Sequence, residues 1–158
     1  MALKPKISPR VFKRMLNWYL PFIFNRIKVK RISADYHEMD VLLKKSFFNK
    51  NLAGTIFGGS IFSAADPFFP LMFWQIFAHR YNEHIQVWTK SAEIKFIKPA
   101  DTNLKLEFRV TEEEVLEAKR MLAENGKYSI THQIELLNTR GEVAALATVV
   151  SYLGTKPK

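Results

Sequence analysis

The sequence contains no cysteine, which excludes a disulfide framework and any thiolate metal site and favours a reducing compartment. Acidic residues are missing altogether from residues 1–31. There Lys4, Lys6, Arg10, Lys13, Arg14, Arg26, Lys28, Lys30 and Arg31 supply nine of the 24 Lys and Arg. The other 15 basic residues are matched by all 15 acidic ones, so the formal charge of +9 belongs to this N-terminal arm. Such asymmetry points to an anionic partner: a membrane surface, a phosphate-bearing ligand or nucleic acid. Charge is also scarce further on, where Asp66 is the sole formal charge between Lys50 and Arg80. Glycine is limited to six residues, yet two of them, Gly58 and Gly59, stand together just ahead of that aspartate.

What is present reads as one globular domain. A hydrophobic fraction of 47% against 25% charged in 158 residues excludes wholesale disorder and supports a single core. Residues 61–78 approach the length of a membrane span. Asp66, Pro67, Pro70 and Gln75 interrupt them, so a buried core helix is expected. The N-terminus carries basic residues throughout and no small-residue cleavage site follows its apolar part, so it does not read as a signal peptide.

In the arm, Val11, Phe12, Met15, Leu16, Tyr19, Leu20, Ile23 and Ile27 recur at helical spacing, with Ser8 and Pro9 as a start signal and Pro21 as a kink or break. Strands are expected over 28–33 and 38–48, then a loop rich in turn formers. A helix over 58–79, apolar on nearly every side, must be surrounded by protein or lipid. Alternation over 87–100, 104–110 and 128–136 predicts strands, with a short helix at 111–126. The NTRG turn at 138–141 then leads to a last apolar strand at 143–153. One antiparallel sheet curled around a single hydrophobic helix accommodates this order, an α+β arrangement of the hotdog type. The expected division is a basic amphipathic helical arm over 1–31 and a hotdog domain over 32–158.

Gly58 and Gly59 fall where the central helix begins. Its first N–H groups lack internal acceptors and carry partial positive charge, and glycine lets a ligand oxygen approach them. That geometry suits a thioester or ester carbonyl that becomes an oxyanion. Asp66 lies almost two turns further, about 10 Å along the axis, a separation more natural across a dimer interface than within one chain. A second reading of Asp66 is structural: an N-cap followed by Pro67 at the first helical position.

The pattern Asn51-x-x-Gly54-Thr55-x-Phe57-Gly58-Gly59, closed by Asp66, resembles the hotdog acyl-CoA thioesterases of the phenylacetate-pathway type, whose signature reads N-x-x-G-x-x-H-G-G followed by an A-D pair. SAEIKFIKPADTNLK (91–105) resembles a second block of that family, and the likeness covers roughly residues 35–153. It implies that Asp66 is a catalytic carboxylate, either general base or nucleophile. It also implies that Gly59, with Gly58, donates backbone N–H groups to the carbonyl, and that Asn51 shapes the site or orients water. The departure is Phe57, where the family has histidine; an aromatic neither titrates nor donates a hydrogen bond, which shifts weight onto the backbone donors.

Two functions remain open at this point. The first is hydrolysis of an acyl-CoA or related thioester, with Phe57, Thr55, Phe62, Lys90 and Lys98 as substrate contacts, coenzyme A entering as part of the substrate, and no further cofactor. The acyl group would lie among Phe62, Phe68, Phe69, Phe73 and Trp74 and the aromatics of the arm, and the phosphates of coenzyme A near Lys90, Lys95, Lys98 and the arm. The second is a non-catalytic acyl or lipid binder. The expected assembly is a homodimer or homotetramer in the cytoplasm. The arm either contacts the inner membrane surface peripherally or packs on the sheet with its charges solvated. Nucleic acid is not an expected partner, because the neutral body offers no recognition module. His132 reads as a core histidine, and no metal-binding spacing such as H-E-x-x-H occurs.

Overall fold

Pro9 opens the first helix, α1 (Pro9–Trp18), in a computed structural model that describes residues 6–155. Lys4 of the basic arm and residues 156–158 of the expected domain lie outside the described residues. Ser8 has extended N-cap geometry but its hydroxyl makes no cap bond, so this start rests on the preset φ of Pro9. The helix ends at Tyr19, and α2 (Leu20–Asn25) restarts with Pro21 in its first turn. A proline is harmless there and disruptive inside a helix, so Pro21 divides the arm.

Six antiparallel strands follow: β1 (Ile27–Ile32), β2 (Glu38–Leu43), β3 (Ile85–Phe96), β4 (Leu104–Arg109), β5 (Lys127–Leu137) and β6 (Val143–Thr155). Their order in the sheet is β1-β2-β4-β5-β6-β3. The arm's last residues thus form an edge strand, and the division expected between residues 31 and 32 falls within β1. The second strand stops at Leu43, short of the expected 48. Ser46 and Asn49 form a reciprocal capping pair that closes a 3₁₀ turn at Phe47–Asn49, which leaves Phe47 in solvent instead of on a strand face.

The sheet curls around the apolar helical segment, as expected. That segment is two helices, α3 (Gly58–Ala65) and α4 (Phe68–Ile76), extended by a π turn at Phe77–Tyr81. By length and apolarity it could cross a membrane. Here Phe68, Phe69, Met72, Phe73, Ile76 and Phe77 are each 2% exposed or less inside the sheet. The α5 helix (Glu112–Asn125) starts at a capping box between Thr111 and Glu114 and ends at Gly126, whose φ of 68° suits glycine.

The break between α3 and α4 has a covalent cause. Pro67 and Pro70 have no N–H to donate back to the carbonyls of Ser63 and Asp66. The Asp66 carbonyl instead accepts the hydroxyl of Thr89 on β3 at 2.9 Å. Immediately after Thr89 the β3–β6 register shifts, so that Lys90 is the extra residue of a bulge. Two prolines and one threonine therefore fix where Asp66 stands against the sheet edge.

Candidate active site

The loop before α3 is built by one asparagine. The Asn51 side chain donates to Thr55 Oγ1 at 2.8 Å and accepts from the Thr55 amide at 3.1 Å. Main-chain bonds Asn51 N–H to Thr55 O and Gly54 N–H to Asn51 O complete the turn, and Gly54 takes a φ of 79° that few other residues adopt. Ile56 N–H then donates to Ala100 O at 2.9 Å and Phe57 N–H to Asn49 O at 2.7 Å. These anchors deliver Phe57 as the N-cap of α3, in extended geometry with φ −60° and ψ 132°.

Of the first-turn donors, Ser60 and Ile61 bond back to the Phe57 carbonyl. The N–H groups of Gly58 and Gly59 have no acceptor among the described residues, and they are the ones left for an incoming oxygen. Two exposed phenyl rings crowd the glycines. A methyl group on Gly58 would lie 3.2 Å from Phe96 Cζ, and one on Gly59 would meet the ring of Phe57, 3.0 Å from its Cζ. Larger residues at 58 or 59 would displace those rings.

A depression of about 420 Å³ opens beside this terminus, lined by Asn51, Thr55, Gly58 and Lys98 together with Phe96, Ile97 and Pro99. Four residues singled out in the sequence thus meet in one place. Phe96, the last residue of β3, and residues 97–100 after it complete the wall. Alternation around Phe96 was the signal available, and it indicated a strand without indicating that the ring covers a glycine.

Asp66 does not line that depression. Its main chain is held by Phe62 O and Thr89 Oγ1, while its carboxylate takes no hydrogen bond and no ion pair among the described residues. The capping alternative is therefore not realised: the N-cap of α4 is Pro67, with no side-chain cap bond, and Asp66 itself has helical φ −62° and ψ −57°. Lys98 is spoken for by Glu142 at 2.6 Å. Lys98, Asn138 and Arg140 together hold the Glu142 carboxyl down at about 2. Lys90 is exposed at the bulge beside Asp66, and Phe62 stands 42% exposed on α3.

The expected acyl site among the core aromatics is corrected. Phe68 packs on Phe22 and Phe108, and Phe69 on Phe108 and His132. With Phe68, Phe69 and Phe73 at 2% exposure or less, their rings fill the core and leave no space for a ligand there. His132 is indeed a core residue, 7% exposed and stacked on Phe69 at 4.0 Å. Neither ring nitrogen has a hydrogen bond among the described residues, although Nε2 lies 3.4 Å from Glu114 Oε1. Burial pushes its pKa down and Glu114 opposes the shift.

The family model described as "domain of unknown function (DUF4442)" matches residues 8–153. Among solved structures, Pseudomonas aeruginosa PA5026, a probable thioesterase of unknown function, superposes with a TM-score of 0.80 at 16% identity over 94% of this chain and 97% of that one. PaaI of Escherichia coli, from the phenylacetic acid degradation operon, gives 0.62 at 20% identity over 90% and 91%. The Streptococcus mutans protein smu.793, bound to acetyl CoA, gives 0.59 at 16% over 84% and 91%. At these identities the likeness is one of fold, and it establishes the hotdog architecture. No curated protein matches the sequence.

Proposed function

The chain belongs to the DUF4442 family, and from that premise we propose that it hydrolyses acyl thioesters at a site completed by two copies. The observation that carries the reading is the isolation of Asp66: two prolines and Thr89 fix its backbone, yet its carboxylate has no hydrogen bond or ion pair among the described residues. A carboxylate without a partner of its own keeps its acceptor sites for a ligand or a water.

In the proposed reaction the thioester carbonyl oxygen lies against the Gly58 and Gly59 N–H groups of one subunit. Asp66 of the other takes a proton from water as it attacks the carbonyl carbon; direct attack by the carboxylate is the variant of this step. The oxyanion stays on the two amides, and each such donor is worth roughly 10²–10³ in rate. Collapse breaks the carbon–sulfur bond, the thiolate recovers the proton from Asp66, and the carboxylic acid leaves. Coenzyme A is part of the substrate and no further cofactor is required.

Support for the assembly comes from β3. It is an edge strand with β6 as its one neighbour among the described residues, and its 12 residues offer about 40 Å of unpaired backbone. Phe96 and Phe57, 60% and 57% exposed, stand at the same end and would be covered by a second copy. Pairing of dimers into tetramers is the alternative assembly. The acyl group is placed in the depression walled by Phe96, Ile97 and Thr55, with Phe57 and Phe62 at its margin. Lys90 is the nearer candidate for coenzyme A phosphates, because Lys98 is neutralised by Glu142.

A panel of acyl-CoA thioesters assayed on wild type and Asp66→Asn tests the reading. Loss of a general base lowers kcat by about 10²–10⁴. Turnover unchanged by Asp66→Asn removes the assigned base. A wild type that binds acyl-CoA and hydrolyses none supports the non-catalytic acyl binder instead.

A further inference from the structure

A groove of about 590 Å³ runs between α1, α2 and β1, bordered by Arg10, Lys13, Arg14, Arg26, Lys28 and Lys44 and by no acid. None of these six cations makes an ion pair among the described residues, whereas Arg31, Arg80, Arg109, Arg120 and Arg140 all do. Uncompensated cations gathered on one face repel one another, and an external anion relieves that repulsion. Arg26 adds a separate observation. It holds a left-handed φ of 63° at the end of α2, its Nε is buried without a hydrogen-bond partner, and its guanidinium centre sits 5.9 Å from the Phe48 ring. An unsatisfied buried donor in a strained backbone beside five other cations is poised for an acceptor oxygen.

Apolar side chains stand out from the surface around this groove. Trp18 is part of its wall and 75% exposed. Leu20 and Phe24 lie four residues apart on the outer face of α2, 63% and 67% exposed, while Phe22 between them is buried. The 3₁₀ turn is tied to α2 by Asn49 Nδ2 donating to Asn25 O at 3.0 Å, and it holds out Phe47 and Phe48 at 85% and 74% exposure. A free phosphate would use the cations and leave these residues in water. A lipid surface uses both, since aromatic residues favour the headgroup level and basic residues favour anionic lipid.

We propose that this face docks the protein on anionic membranes, with lipid phosphates in the groove and Trp18, Leu20, Phe24, Phe47 and Phe48 inserted at the headgroup boundary. The substrate site is then held at the surface where long acyl chains reside, although the docking itself does not depend on the hydrolase reading.

The test is sedimentation of the full chain with vesicles of phosphatidylcholine alone or mixed with phosphatidylglycerol. Wild type should pellet with the anionic vesicles, shift its Trp fluorescence to the blue, and release at high salt. Lys13→Glu with Arg14→Glu should lower the partition coefficient by about 100-fold or more, at roughly fivefold or more for each charge lost. Phe24→Ser with Phe48→Ser should lower it by about tenfold or more while keeping the salt dependence. Both variants should melt as wild type does, and Lys13→Gln alone provides a milder test at about fivefold. Equal binding to neutral and anionic vesicles, or wild-type partition by the charge-reversed variant, overturns the proposal. So does displacement from vesicles by millimolar inorganic phosphate or coenzyme A, retention on a polynucleotide in place of vesicles, or self-association abolished by Phe24→Ser with Phe48→Ser.

Discussion

The phenyl ring of Phe57 lies over the α-carbon of Gly59, two residues further along the chain, close enough that a methyl group there would fall 3.0 Å from Cζ and 3.1 Å from Cδ1. The N-cap side chain thus roofs the helix terminus without making a cap bond. It stands beside two N–H groups that have no acceptor among the described residues, with the ring of Phe96 on the Gly58 side.

This contact fixes the sign of a mutant cycle. Alanine favours a helix over glycine by roughly 1 kcal/mol, but Gly59→Ala drives a methyl into the Phe57 ring, so the single variant should be destabilised. In a Phe57→Ala background the clash is gone, and the same change should stabilise by about 0.5–1 kcal/mol. Chemical denaturation of the four proteins reads the cycle, and a Gly59→Ala effect of the same sign in both backgrounds would show that the ring does not rest there.

Asp66 separates stability from turnover. A capping aspartate costs about 1 kcal/mol when its cap is lost. With no cap bond and no ion pair at this carboxylate, Asp66→Asn should leave the unfolding free energy within about 0.5 kcal/mol of wild type, while the assayed turnover falls. A loss of stability near that of a cap, with turnover retained, would return Asp66 to a structural role.

How far the sequence carried this site depends on which forces decide each part. Local signals sufficed where the chain acts on its nearest neighbours: Pro9 starting α1 and Pro21 dividing the arm. Periodicity sufficed for the strands and the buried segment, because one sheet face must cover Phe68, Phe69 and Phe73. It failed at Phe47, where alternation continued past Leu43 but the Ser46–Asn49 cap turned the chain. It also could not show that Phe96 covers Gly58 or that Glu142 occupies Lys98, since both contacts join residues about 40 apart. Nor could it show that the Thr89 hydroxyl takes the Asp66 carbonyl left free by Pro70, a contact between residues 23 apart in sequence.

His132 makes stability depend on pH in a window of its own. Burial lowers its pKa below the usual 6.5, with Glu114 opposing. The unfolded chain therefore binds a proton near 6.5 that the folded chain refuses, and stability falls as pH drops below that value until the folded imidazole titrates too. The carboxylates of Asp35, Asp40, Asp101, Glu112 and Glu117 are shifted down from 3.8 or 4.5, so their losses come at lower pH. Melting temperature should decline between about pH 6.5 and 5 in wild type and change less in His132→Phe, whose ring can keep the stack on Phe69. Parallel declines in both proteins would remove His132 as the cause.

Asn17 seals the outer edge of the sheet. Its side chain accepts from Val29 N–H at 2.8 Å and donates to Val29 O at 3.0 Å, giving an edge residue of β1 the pair of bonds a neighbouring strand would supply. The register with β2 shifts just after Val29, and Val29 itself is fully buried, so its main chain has no easy route to water. Asn17→Ala leaves a donor and an acceptor without partners, and the expected cost is about 1–3 kcal/mol. It should also loosen α1, which packs on β1 and buries Phe12 and Leu16. Hydrogen exchange provides the decisive reading, because Val29 and the amides of α1 should lose protection together while those of β5 and β6 keep theirs. Uniform loss across the sheet would instead mean that the arm and the sheet unfold as one unit.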